Sequence, residues 1–426
     1  MLIEFSVRNF RSIAEVQSLS LVANESLRDG ENQTFAPTDS EFLAKLTLLK
    51  TAVLYGANAA GKSNIVKALN LMKRIVVTSA RQGQRGDELP VTPFKLDFEL
   101  EKEPTEFEAV FIAGGVRYQY GFSATSSRIV QEWLYAFPKG RPQEWFMRDW
   151  NIDNKEYVWS FGANFLGKKQ VWRDATRENA LFLSTAVQLN SEQLKPVFDW
   201  FEENLRFLGM SGSANFSIEF CDKGSKERIL SFLKKADVGI DDLEISSEKF
   251  NSEKLPADMP EALIDMIQKE MNGREVFEVF TKHKTVQDKM VLFDLDEEST
   301  GTQKLFAFAG PWLDALDNGY ILVVDELHDN LHPKLVRYLV ELFHNSKTNP
   351  KNAQLFFTTH ETSILNQSVF RRDQIWFCEK NKEGATILFP LTDFSPRKGV
   401  ENLEQAYLSG RYGAVPFIDS LYDGLE

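Results

Sequence analysis

The chain has 426 residues, of which 43% are hydrophobic and 26% charged, a composition that belongs to a folded globular protein rather than a disordered one. Its net charge of −13 excludes a surface coated in basic residues for nonspecific nucleic-acid binding, although a local basic groove is compatible with it. Cys221 and Cys378 are the only cysteines, so no disulfide framework or cysteine zinc site is expected. The length exceeds the ~250–300 residues at which one core stops growing, and two or three packed units are expected. No apolar run reaches the ~18–20 residues of a membrane span, and the N-terminus lacks the apolar block of a signal peptide. A cytoplasmic protein is the expectation.

In chain order, "LIEFSVRNFRSI" (2–13) alternates like a strand, with Leu2, Glu4 and Ser6 on one face and Ile3, Phe5 and Val7 on the other. "TAVLYG" (51–56) fits a central strand buried on both faces. It runs into "GANAAGKSN", which satisfies the spacing G-x-x-x-x-G-K-[ST] at Gly56, Gly61, Lys62 and Ser63. A helix should follow, since Ile65, Ala68, Leu69 and Met72 form a stripe. Residues 81–90 read as a loop. From about 93 to 175 the period changes to two, in "FKLDFEL", "FEAVFI", "VRYQYGFS", "VQEWLYAF" and "EYVWSF", the pattern of an antiparallel meander. Trp133, Trp145, Trp150, Trp159 and Trp172 fall in this region and are expected in its core, ahead of a base-stacking role.

Residues 178 to about 290 read as mostly helical, with no sustained heptad seam. Beyond 298 the strands "YILVVDE" (320–326), "AQLFFTTH" (353–360) and "QIWFCEK" (374–380) return the chain to an α/β pattern. The expected fold is therefore α/β: a split P-loop head, a mixed sheet flanked by helices, carrying a β meander and an inserted helical lobe. Its expected boundaries are 1–92, 93–177, 178–290 and 291–426.

The chemistry starts at the glycine loop. Consecutive backbone N–H groups and the following helix N-terminus suit a polyphosphate. Lys62, expected at the surface, neutralises phosphate oxygens, and the Ser63 hydroxyl is a natural Mg²⁺ ligand. "ILVVDELHDN" (321–330) presents Asp325 and Glu326 at a strand tip, one to hold the Mg²⁺ shell and one to take a proton from attacking water. "EESTGTQKLFAFA" (297–309) opens a helix with Ser299, Thr300, Gly301, Thr302 and Gln303, whose free N–H groups form an anion site. A chain with a complete P-loop has no need of a second phosphate site on the same nucleotide, so this turn is expected to cover ATP held by another subunit. His360, at the end of "FFTTH", can sense a γ-phosphate. His328 and His332 have the H-x-x-x-H spacing of a zinc pair, but Pro333 argues for a loop there.

These pieces in this order resemble the ATP-binding-cassette type of ATPase: Walker A, signature turn, Walker B with a D-loop, and switch histidine. "FSVRNFRSI", "ESTGTQKL", "DELHDNLHP" and "YLSGRYGAVP" (407–416) resemble the SMC-like and OLD-like branch, and within it the RloA-like group of defence-island ATPases. The resemblance covers both ends of the chain and matches 180–290 only in general character. It implies that Gly56, Asn58, Gly61, Lys62, Ser63 and Asn64 hold ATP and that Ser63 and Asp325 hold Mg²⁺. It makes Glu326, His360 and Lys62 catalytic and puts Arg11 near the nucleotide. Ser299, Gly301 and Gln303 would form the signature contact, and residues 330–332 the D-loop. His328 and Glu361 depart from the group's usual residues.

The resemblance also implies a homodimer or an assembly of dimers around two ATPs, working with a separate effector such as a TOPRIM or HNH nuclease in phage defence. No second constellation for nuclease chemistry is readable in the chain itself. The alternative is a DNA-maintenance clamp, for which the basic stretches 223–235 and 281–289 are the nucleic-acid candidates.

Overall fold

The computed structural model describes residues 1–27, 30–37, 43, 45–209, 212–250, 259–271 and 275–416. It divides into two compact units, the first formed by residues 1–210, 314–329 and 333–426 and the second by residues 211–313 and 330–332.

The chain begins with β1 (Leu2–Arg8), β2 (Gln17–Ser20), the short pair β3 (Thr34–Phe35) and β4 (Leu48–Leu49), β5 (Thr51–Gly56) and α1 (Lys62–Thr78). The meander follows as β6 (Thr105–Ala113), β7 (Val116–Ala124), β8 (Ile129–Phe137), β9 (Gln143–Asn151) and β10 (Glu156–Phe161). Next come α2 (Lys169–Ala175), α3 (Phe182–Gln188), α4 (Lys195–Asp199) and β11 (Leu205–Leu208). The second unit contains α5 (Ala214–Phe220), α6 (Lys226–Lys235), β12 (Asp242–Lys249), α7 (Glu261–Met271), β13 (Glu275–Lys284) and β14 (Met290–Asp294). After α8 (Thr300–Asn318) the chain completes the first unit with β15 (Ile321–Val324), α9 (Pro333–His344), β16 (Gln354–Thr358), β17 (Ile375–Lys380), β18 (Thr386–Pro390) and α10 (Leu403–Leu408).

The first unit holds two large sheets. One is wholly antiparallel, in the order β10-β9-β8-β7-β6-β1-β2. The other runs β11-β15-β16-β5-β17-β18, parallel except for the final pair. As its all-apolar reading requires, β5 is central and every residue in it is buried. A register shift between Leu2 and Glu4 turns Leu2 to the same core as Phe5 and Val7, leaving Ile3 in a separate cluster with Phe35 and Leu48.

A buried ion pair ties the meander to the helices behind it. Glu132 and Arg148 are both fully buried, 3.6 Å apart. The Glu132 carboxylate accepts N–H bonds from Phe182 (2.7 Å) and Leu183 (3.0 Å) at the start of α3, and a hydroxyl bond from Tyr120 (3.1 Å). Arg148 donates to the carbonyls of Ala180 and Arg177 and lies under the rings of Tyr157 and Trp159. Burial pushes the Glu132 carboxyl upward, and Arg148 and these donors oppose that. The tryptophans of the meander pack: Trp145 and Trp172 are buried, and Trp150 covers Arg128.

Two expectations are corrected. "FKLDFEL" is not a strand, because the Asp97 side chain accepts N–H bonds from Glu99 and Leu100 and closes a turn. Leu96 and Phe98 are consequently exposed, at 72% and 78%. The segment 178–290 is helical only in part. Its β11 extends the parallel sheet, and β12, β13 and β14 form an antiparallel sheet in which Leu243, Val279 and Thr281 turn inward. Residues 210–211, 251–258 and 272–274 of this expected lobe, and 417–426 of the expected C-terminal part, lie outside the described residues. In the second unit, Pro311 inside α8 cannot bond the Ala307 carbonyl, which instead accepts the Ser213 N–H at 3.1 Å.

Replacing Glu132 by Ala strands the buried Arg148 charge, and a loss of about 3–5 kcal/mol is expected. Replacing both residues by Met should recover most of it. Urea titration of each full-length variant, followed by tryptophan fluorescence, measures the difference.

Candidate nucleotide site

Parallel strands leave their C-terminal ends at one edge of a sheet, and register decides which residues meet there. Val53, Phe357 and Val324 lie in one row across β5, β16 and β15. The residues just beyond that row therefore emerge together: the P-loop from β5, Asp325 and Glu326 from β15, and Thr359 and His360 from β16. One strand separates the P-loop strand from the acidic strand, which leaves room between them for a phosphate chain.

A cavity of about 600 Å³ opens at this edge, lined by Asn58, Ala59, Gly61, Lys62, Ser63, Asn64, Glu326 and His360. Gly61 has φ +110, and a Cβ there would collide with the Thr386 hydroxyl and come within 3.0 Å of Ser12 Oγ. The loop is fastened by the groups that crowd it. Thr386 Oγ1 donates to the Ala60 carbonyl (2.9 Å), Cys378 Sγ reaches the same carbonyl (3.3 Å), and Ser12 Oγ meets both Thr386 Oγ1 (2.8 Å) and Asn64 Nδ2 (2.7 Å). Burial pushes the Cys378 thiol up to about 12, so it serves as an uncharged packing group.

Lys62 is not the surface lysine the sequence suggests. It is 5% exposed and donates to the carbonyls of Gly56 (2.9 Å) and Ala57 (3.0 Å), so it lies folded into its own loop. Burial lowers its pKa, and Cys378, Glu326 and Asp325 act in the opposite direction.

Thr358 organises the acidic pair. Its hydroxyl donates to Asp325 Oδ1 (2.6 Å) and accepts the Glu326 N–H (2.8 Å), while its carbonyl accepts the Leu327 N–H (3.0 Å). These bonds hold Glu326 at φ +54, a left-handed conformation that is uncommon away from glycine, and the carboxylate faces the cavity. His360 is half-buried with its ring 5.5 Å from that of His328, and its N–H points at His328 Nδ1 (3.4 Å). Burial, with help from Lys62 and His328, lowers the His360 imidazole to about 4.

Other expected site residues fall elsewhere. Arg11 does not line this cavity; it belongs to a neighbouring hollow with Lys67 and Arg74, and the adjacent Ser12 is what touches the P-loop. Ser299, Gly301 and Gln303 sit at the start of α8 in the second unit. Ser299 Oγ accepts the Thr302 N–H (3.2 Å), capping that helix, and Gln303 Nε2 donates to the Glu298 carbonyl (2.8 Å). A Cβ on Gly301 would come within 2.9 Å of the Asn330 carbonyl, so glycine permits that approach. The stretch 325–332 is turn and loop, and α9 starts only at Pro333. Among the described residues, no group of three or more His, Cys, Asp or Glu could hold a metal, and no helix is long and apolar enough to cross a membrane. Ser12, Thr358 and Thr386 were missed in the sequence; only the hydroxyls of "RSI" and "FFTTH" hint at them.

Residues 52–366 match the family described as "AAA domain, putative AbiEii toxin, Type IV TA system". The chain belongs to this AAA family. Among solved structures, it is similar to the SMC head domain from Thermotoga maritima, at 12% identity and a TM-score of 0.39, over 91% of this chain and 98% of that one. It is also similar to the recombination mediator protein RecF with ATP, at 13% identity and a TM-score of 0.36, over 91% of this chain and 99% of that one. Comparison with curated proteins gave no match.

The His360 environment makes a prediction with a definite sign. Its folded pKa is depressed, so the ring stays neutral from pH 7 down to about 4, and the stability linked to it is lost as pH falls from ~6.5 toward 4. A polyphosphate in the cavity should raise the midpoint by favouring the imidazolium. Histidine NMR titration, assigned with His360→Asn, should show a low midpoint without nucleotide and a higher one with a non-hydrolysable ATP analogue.

Proposed function

We propose that this protein is an ATP-hydrolysing ATPase of the ATP-binding-cassette type that closes as a homodimer over two ATPs and controls a separate effector in phage defence. The observation that carries the reading is the meeting of Gly61, Lys62, Ser63, Glu326 and His360 in one cavity at the ends of parallel strands.

In this reading, backbone N–H groups of the P-loop and the start of α1 bind the phosphates. Lys62 leaves the Gly56 and Ala57 carbonyls for them, exchanging loop bonds for charge-assisted ones. Mg²⁺ suits the donor set, since Ser63 and Asp325 would offer it hard oxygens. When bound, the ion neutralises charge on the phosphates. Glu326, held by Thr358, orients the attacking water and takes its proton, and the neutral His360 donates a hydrogen bond toward the γ-phosphate.

Dimerisation is supported by the signature turn. Ser299 caps the start of α8, whose N–H groups suit an anion, and a chain with its own P-loop has no need of a second phosphate site on the same nucleotide, which suits a partner subunit's nucleotide. A defence role is supported by the family's description as a putative AbiEii toxin of type IV toxin–antitoxin systems and by the likeness of the motifs to the RloA-like group. The effector, in that reading, is a separate protein such as a TOPRIM or HNH nuclease, and this chain itself does not cleave nucleic acid.

Glu326→Gln tests the chemistry. The amide cannot take the proton, so hydrolysis should fall by ~10²–10⁴ while ATP stays bound. Light scattering should show a larger species only with ATP and Mg²⁺. Hydrolysis at the wild-type rate would assign the base elsewhere, and a monomer with ATP bound would remove the dimer. Lys62→Ala should abolish ATP binding in calorimetry, at some cost in stability because the lysine is buried. Mixing Lys62→Ala with Gly301→Asp should restore hydrolysis, because their heterodimer contains one composite site without either lesion.

A further inference from the structure

In the basic stretches that the sequence offers for nucleic acid, four of the lysines are paired with acids of this chain. Lys226 pairs with Asp242 (2.9 Å), Lys282 with Glu244 (2.7 Å), Lys284 with Asp288 (2.9 Å) and Lys223 with Glu219 (3.8 Å). A cation already paired at the surface releases little on meeting a phosphate.

Three unpaired cations meet at one hollow of the first unit. A hollow of about 160 Å³ beside α1 is lined by Phe10, Arg11, Lys67, Asn70, Leu71, Arg74 and Pro90, and no carboxylate takes part in the lining. Arg11, Lys67 and Arg74 are exposed, and none has an ion-pair partner among the described residues. Lys67, Asn70 and Arg74 stand at i, i+3 and i+7, which puts them on one face of α1. Arg11 faces them from the β1–β2 turn, where its backbone is held at φ +54 by an N–H bond to the Thr92 carbonyl (2.8 Å) and its guanidinium lies 5.5 Å from the Phe10 ring centroid. A left-handed arginine is a costly choice for a turn that only has to reverse the chain. Here it sets a third positive charge opposite the helix face.

We infer that Arg11, Lys67 and Arg74 form a binding site for the phosphodiester backbone of a polynucleotide. Lys67 and Arg74 are ~10 Å apart along the helix axis, more than one tetrahedral anion spans, and suited to successive phosphates. The hollow is shallow and its cations are exposed, which fits a strand lying across it rather than an enclosed small molecule. In a chain of net charge −13, a hollow lined without acids is a place where a polyanion meets little repulsion. The site does not depend on ATP chemistry, but it is joined to it: α1 begins at Lys62, and Ser12, next to Arg11, is bonded to Asn64 and Thr386 at the P-loop. A strand held here touches the two elements that position the nucleotide loop.

The test compares two charge-matched variants of the full chain without nucleotide, so its result is independent of the ATPase reading. One carries Arg11→Gln, Lys67→Gln and Arg74→Gln; the other carries Lys226→Gln, Lys282→Gln and Lys284→Gln. Binding of short fluorescein-labelled DNA and RNA, duplex and single-stranded, is followed by anisotropy across a salt series, and circular dichroism checks that each variant is folded. The first variant should lose about tenfold or more in affinity at low salt and flatten the log K against log salt slope by about 2–3, while the second keeps the wild-type slope. Equal effects of the two variants, or no binding by the wild type, would overturn the proposal. Inorganic phosphate at matched ionic strength is the remaining arm. If it binds at this hollow, with loss in the first variant, while every polynucleotide is ignored, the site is one for free phosphate and the backbone assignment fails.

Discussion

The candidate nucleotide site depends on a loop that must pack closely against its neighbours and be held still by them. Gly61 meets the first demand, since any Cβ there would strike Thr386. The second is met by a small set of hydroxyls. Thr386 and Cys378 hold the Ala60 carbonyl from β17 and β18, and Ser12 closes the circuit to Asn64. Residues separated by more than three hundred positions thus fix one loop. The shape of the loop is as much a property of β18 and the first turn of the chain as of the glycine motif itself.

The same logic repeats at the acidic tip. Thr358 bonds Asp325 and Glu326 together, and the left-handed backbone at Glu326 is sustained by those bonds. Such strain persists only where surrounding structure over-determines it. The adjacent β15 and β16 supply that rigidity through continuous parallel register, and the C-terminal segment adds a second layer. Tyr407 and Tyr412 stack on Phe377, Tyr407 lies against Tyr55, and Tyr55 donates to the Glu361 carbonyl beside His360. The stretch "YLSGRYGAVP" thereby braces the strand that carries the P-loop and the segment after the histidine.

The meander stands on a different device. A fully buried Glu132–Arg148 pair is expensive to desolvate, and it is tolerable only because helix N–H groups, carbonyls and aromatic faces occupy the bonding positions around it. It joins β8 and β9 to the start of α3, and α3 in turn packs on α1, where Ser184 Oγ donates to the Val76 carbonyl. The antiparallel sheet is therefore bonded through one helix to the helix that opens at the phosphate site.

Sequence alone determined the parts whose physics is local. The glycine spacing, the four apolar residues before Asp325, the total burial of β5 and the order of motifs are short-range patterns, and each survives in the structure. The helical reading of 178–290 failed where β12 and β13 form strands, because their faces are defined by partners 26 to 40 residues away rather than by neighbours in sequence. "FKLDFEL" failed because a single Asp97 turn overrode its alternation. Tertiary structure alone decided that Lys62 is buried, that Thr358, Ser12 and Thr386 position the site, and that Arg11 faces Lys67 and Arg74 instead of the P-loop cavity. It also paired Lys223, Lys226, Lys282 and Lys284 of the second unit with acids and left those three cations unpaired. Charge pairing and hydroxyl bonding act between residues brought together by strand order, and no local pattern encodes which groups those will be.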